Sequence, residues 1–167
     1  MALPKALVEV PAPGETIRHR GVFNEAELYR TVYGWLRGEY YNTFEKTHKR
    51  KKDEAEVEIN ADRKLTEYVR YYIDVGIKVY HLKNVEVVKD GVKKNMQEGV
   101  VVIVISGKTM FDWQERYKDN KLIEFLNYFM QKFIIKQDIE QKWTDDLDYA
   151  IFLLAKAIKR SLGMEYE

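Results

Sequence analysis

The chain has 167 residues, 46% of them hydrophobic and 13% aromatic, which suits one folded domain with a true core. Lys and Arg total 28 against 27 Asp and Glu, so net charge offers no global attraction to a polyanion, and any such surface must come from local clustering. With no cysteine, disulfide staples, thiolate catalysis and cysteine zinc sites are excluded, and a reducing cytoplasm is the expected compartment.

The first ten residues lack the basic region and apolar core of a secretory signal. The most apolar run, residues 100–105, is far shorter than the roughly 20 residues a membrane-spanning helix needs. A soluble cytoplasmic protein without membrane contact is expected. Pro4, Pro11 and Pro13, the last followed by Gly14, predict an extended arm over residues 1–22, ahead of a single domain over 23–167.

Asn24 is placed as an N-cap, Glu27 completes a capping box, and Phe23 can staple to Leu28. Leu28, Val32, Trp35 and Leu36 then follow helical spacing up to Gly38, a natural stop. Beyond it the period changes to two. Residues 40–44 predict a strand, and Ala55, Val57, Ile59 and Ala61, alternating with Glu54, Glu56, Glu58 and Asn60, predict another with one wet face. The basic residues between them read as a loop.

Residues 65–82 predict one long strand with two unlike faces. Leu65, Val69, Tyr71, Ile73, Val75, Ile77 and Val79 make the apolar side, and Tyr68, Arg70, Tyr72, Lys78 and Tyr80 make a side of rings and cations. A further short strand over 84–88 enters an Asp90-Gly91 turn, a pair suited to a tight hairpin. Residues 100–105 are apolar without alternation, so both faces of that strand should be covered, one by the chain's own helices and the other by a further layer of this chain or by another subunit. A homodimer follows as an expectation.

Helical spacing returns in two stripes: Leu122, Phe125, Leu126, Phe129, Phe133 and Ile134, then Leu147, Ala150, Ile151, Leu154, Ile158 and Leu162. Thr144 or Asp145 can cap the second helix, and Lys156, Lys159 and Arg160 suit its C-terminal end. The expected architecture is α+β: an N-terminal helix, about five mostly antiparallel strands, and two C-terminal helices packed on the sheet. This order is similar to the START-like helix-grip arrangement, in which a sheet wraps a long C-terminal helix around a cavity. The stretches 23–36, 65–79 and 113–139 also resemble an uncharacterised family of small archaeal α+β proteins. Neither resemblance implies catalytic residues.

The densest cationic cluster is Lys46, His48, Lys49, Arg50, Lys51 and Lys52, preceded by Tyr40, Tyr41 and Phe44. Cations neutralise phosphates and rings stack on unpaired bases, so this cluster and the Tyr68, Arg70, Tyr72, Lys78 and Tyr80 face are candidates for binding RNA or a partner. Their plainer readings are a solvated hairpin tip and a half-buried set of cross-strand pairs. Ser106-Gly107-Lys108-Thr109 fails as a phosphate loop because Val102 stands where its first glycine belongs. His19, His48 and His81 lack metal-site spacing. No nucleophile, base and orienting group can be named together, so neither a catalytic site nor a cofactor or metal is expected.

The leading expectation is therefore a non-enzymatic, homodimeric binding protein that attaches to RNA or a ribonucleoprotein such as a ribosomal particle. The alternatives are a START-like carrier of a small apolar ligand, with Val69, Ile73, Phe129 and Ile151 lining the pocket, and a structural subunit of a larger assembly.

Overall fold

Alternation along the chain builds five strands, and helical spacing builds three helices. The computed structural model describes residues 5–164. In order these are β1 (Glu9–Phe23), α1 (Glu25–Gly38), β2 (Asn42–Arg50), β3 (Glu54–Lys64), β4 (Val69–Lys89), β5 (Val92–Phe111), α2 (Lys121–Phe129) and α3 (Thr144–Ser161). Two π-helical stretches, Met130–Ile134 and Asp138–Trp143, lie between α2 and α3. The strands form one antiparallel sheet in the order β1-β5-β4-β3-β2. The class is α+β as expected, but the first element is a strand rather than a helix.

That strand is the stretch expected to be a free arm. Residues 9–23 are extended, as the prolines require, yet they pair with β5 from Glu9↔Met110 to Phe23↔Gln97. The register slips between Ala12 and Glu15, where Pro13-Gly14 sits. Pro4 lies outside the described residues.

The N-cap of α1 holds. The Glu27 amide donates to Asn24 Oδ1 at 3.1 Å, and Leu28, Val32 and Leu36 are buried. The hairpin turn holds too: Asp90 and Gly91 both take positive φ, and Lys89 pairs with Val92. The strands expected separately over 65–82 and 84–88 are one, β4, which begins only at Val69 and is interrupted by a register shift after Tyr80 with His81 at φ 56°. The basic run is not a loop, since Lys46, His48, Lys49 and Arg50 stand on β2.

The odd residues of β4 and β5 face the core: Val69, Ile73, Val75, Val101, Ile103 and Ile105 are sealed from solvent. Over them lies α3, whose Leu147, Ile151, Leu154 and Ile158 are equally buried, each worth roughly 1.5–3 kcal/mol relative to exposure. Gly107 marks how close the two layers come. A Cβ there would stand 2.9 Å from Ile151 Cδ1 and 2.9 Å from the Tyr72 carbonyl oxygen. Expected capping of α3 by Thr144 or Asp145 is not used, because the helix continues from the π turns and Thr144 Oγ1 donates back to Ile139 O at 2.6 Å. Among the described residues no helix is long and apolar enough to cross a membrane.

Within one chain the β5 run is covered on one side only: Val104 is 48% exposed and Val100 and Val102 are partly so. The expectation for α2 fails. The stripe on α2 and the turn after it does not meet the sheet, since Leu122, Leu126, Phe129, Phe133 and Ile134 are all exposed.

Candidate interaction surfaces

Strand alternation divides the cations of β2 between two sides. Arg50 pairs in register with buried Ala55 and so points to the helix side, where Nη2 lies 3.3 Å from Oε2 of buried Glu25. Tyr29 also donates to Glu25 at 3.0 Å, and burial with this carboxylate pushes the phenol up. On the opposite side Lys46 meets Glu58 at 3.1 Å, and Lys49 stands across from Glu56. Lys51 lies 4.0 Å from Glu54, and His48 lies 2.8 Å from Glu45. The Glu45 carboxyl is held below the usual range by hydrogen bonds from Tyr33 and His48. Lys49 and Lys52 are exposed and make no ion pair among the described residues. Glutamates of β3, β2 and α1 thus pair with Lys46, Lys51, His48 and Arg50, leaving a surface of mixed sign.

The even residues of β4 do share the outer side of the sheet, and register fixes their neighbours. Arg70 is bound by Asp62, with Nε 2.9 Å from Oδ2 and a second contact through Nη2. Its guanidinium also lies 4.9 Å from the Trp113 ring centroid. Tyr72 is flanked by Arg70 and Lys108, at 5.8 Å and 5.6 Å from its ring. Lys78 is 3.4 Å from Glu56, and Tyr80 is 39% exposed. Between them stand Asp74 and Gly76, with Ser106, Val104, Val102 and Val100 alongside on β5. Burial, with Glu58 adding to it, pushes the Asp74 carboxyl up. Reading one strand at a time missed the β5 neighbours, because only the pairing register joins them to β4.

Tyr68 does not belong to that face. It precedes β4, half-buried, with its ring 6.0 Å from Phe111 and 6.1 Å from Tyr117. Its hydroxyl donates to Asn127 Oδ1 at 2.7 Å and accepts from Gln131 Nε2 at 2.7 Å. Gln131 also bonds the Leu7 backbone twice, accepting from its amide at 2.6 Å and donating to its carbonyl at 2.8 Å. Asn127 and Gln131, four residues apart on one side of the helix, are therefore the buried side.

The consequence is an inverted amphipathic helix. A surface helix ordinarily turns its apolar stripe to the core, whereas here satisfied polar contacts dock the helix and the stripe faces outward. Leu122 is 64% exposed and Phe133 63%, with the Phe129 and Phe133 rings 4.7 Å apart. The signal available in sequence was the Asn127 and Gln131 pair opposite the stripe, whose inward role is visible only once Tyr68 is known to meet it. No family model and no curated protein matches the chain.

Proposed function

We propose that the chain is a non-enzymatic binding protein that docks on a protein partner, or on the protein component of a ribonucleoprotein particle, through the apolar side of α2. The observation that carries this reading is the outward stripe from Leu122 to Ile134, held in place by the Tyr68, Asn127 and Gln131 hydrogen bonds. Contiguous exposed apolar surface marks an interaction site, and anchors at i, i+3, i+4 and i+7 are what an apolar groove reads from a helix. The matching occupant is a groove on a folded protein.

An RNA partner is the second reading. It is favoured by a depression of about 370 Å³ lined by Lys49, Lys51, Lys78 and Tyr80, although Glu54 and Glu56 share its wall. A carried apolar ligand has less support: Val69, Ile73 and Ile151 are closed into the core while Phe129 is 45% exposed, and Gly107 leaves no gap beneath α3.

The test uses a photo-crosslinking residue at Leu126 and a control at Lys89, on the β4-β5 turn, in native cells. A single protein captured at Leu126, absent at Lys89 and lost in F129D/F133D while thermal unfolding is unchanged, supports the α2 reading. Recovery of RNA that K49E/K51E abolishes and F129D/F133D leaves intact would replace it with the second reading, and associations indifferent to both variants would defeat both.

A further inference from the structure

The outer side of the sheet carries a pattern that fits a copy of itself. Cross-strand rows run Thr16, Val104, Gly76, Glu58, then Arg18, Val102, Lys78, Glu56, then Arg20, Val100, Tyr80, Glu54. At the centre Val104 stands 48% exposed, beside a hollow of about 300 Å³ over Gly76, walled by Glu58, Asp74, Lys78 and Ser106. A knob and an empty seat therefore sit on neighbouring strands in one row. Charge is laid out with the same handedness. Arg18 and Arg20 on β1 make no ion pair among the described residues, and Glu54, Glu56 and Glu58 line β3 at the same heights.

We infer that a second copy of this chain covers this face, with the two-fold axis running along the strands between β4 and β5. Rotation about that axis keeps each row at its own height and exchanges β5 with β4 and β1 with β3. Val104 of each copy then enters the hollow over Gly76 of the other. The arginines of β1 lie over the glutamates of β3, Ser106 over Asp74, and Lys108 over the Tyr72 ring. The other face-to-face two-fold, across the strands, would set β3 on β3 and oppose glutamate to glutamate, which interfaces avoid. Four strands about 4.8 Å apart and five rows about 6.8 Å apart span roughly 600 Å² per copy, approaching a standard interface of about 800 Å² per partner. Aligned sheets cross at about −30°, so the match is closest near Val104 and loosens outward. The inference does not depend on what α2 binds.

Sedimentation velocity over a concentration series tests it in the full chain. The expected result is a dimer that Gly76→Leu weakens about 100-fold or more by filling the seat. The folded monomer has room for that side chain, since a Cβ at Gly76 meets only the Val104 carbonyl oxygen at 4.0 Å. R18E/R20E and E54K/E56K should each be monomeric alone and should form a heterodimer when mixed, because only the mixture sets opposite charges on both β1-β3 contacts. A wild-type chain that stays monomeric at every concentration overturns the inference. So does a dimer indifferent to Gly76→Leu, or charge variants that fail to rescue each other.

Discussion

Gly107→Ala measures whether α3 rests directly on the sheet. The added Cβ would stand 2.9 Å from Ile151 Cδ1, 2.9 Å from the Tyr72 carbonyl oxygen and 3.6 Å from Leu147 Cδ2. The carbonyl belongs to β4, which is paired on both sides, so the β5 backbone must lift away from it, and α3 or the Ile151 side chain must shift to make room. Overpacking of this kind costs about 1–3 kcal/mol, and the stiffer unfolded chain returns about 0.4–1 kcal/mol. A net loss of about 1–2 kcal/mol follows. With a urea slope of about 2 kcal/mol/M, the midpoint should fall by roughly 0.5–1 M, read by far-ultraviolet circular dichroism at fixed protein concentration. Ile151→Val removes the offending Cδ1. Alone it should cost about 0.5–1.5 kcal/mol, but in the Gly107→Ala background it should cost almost nothing or restore stability, giving a coupling that an independent site would lack. A midpoint unchanged or raised by Gly107→Ala, with Ile151→Val additive, would refute the reasoning. It would also reveal, beneath α3, the room a carried ligand needs.

Two further outcomes follow from polar groups on the sheet. Asp62→Ala leaves the Arg70 guanidinium over Trp113 without its carboxylate; since Arg70 keeps 26% of its side chain in solvent, the expected loss is roughly 1–3 kcal/mol in urea unfolding, less than a fully buried pair would show, and adding Arg70→Met should recover most of it. Asp74 works in the opposite direction. Burial and Glu58 lift its carboxyl against the opposing pull of Lys108 and Lys46, so the folded chain holds that proton more tightly than the unfolded one and stability falls as pH rises through the folded value. Asp74→Asn should therefore raise Tm at neutral pH, with the gain shrinking on acidification and vanishing below the ordinary value of 3.8; an equal gain at every pH would remove the electrostatic explanation.

Sequence periodicity made β3, β4, α1 and α3 legible because one face of each is wet and the other dry. Asn24, Glu27, Asp90 and Gly91 were readable for a related reason, since caps and tight turns are local chemistry. What escaped was set by distant pairing. The β1 strand looks like an arm until β5 supplies its ladder, for its own side chains alternate weakly and only Ile17 and Phe23 are fully buried. Apolar content placed α2 against the core, but Tyr68 and the Leu7 backbone chose its Asn127 and Gln131 side instead. Of the candidate surface, Arg70, Tyr72, Lys78 and Tyr80 were legible as one face. Tyr68 left it because β4 begins one residue later, and Val104 and Arg18 joined it only through register.

The two outermost strands bear on how copies can meet. Strand β1 carries Pro11 and Pro13, which offer no amide hydrogen, and its register slips between Ala12 and Glu15. Strand β2 carries Lys46, His48, Lys49 and Arg50 and slips between Glu45 and Thr47. Such features blunt a sheet edge against the addition of another strand. Lateral growth is thus discouraged at both rims, and a sheet of this kind that associates face to face favours a closed pair over a fibre.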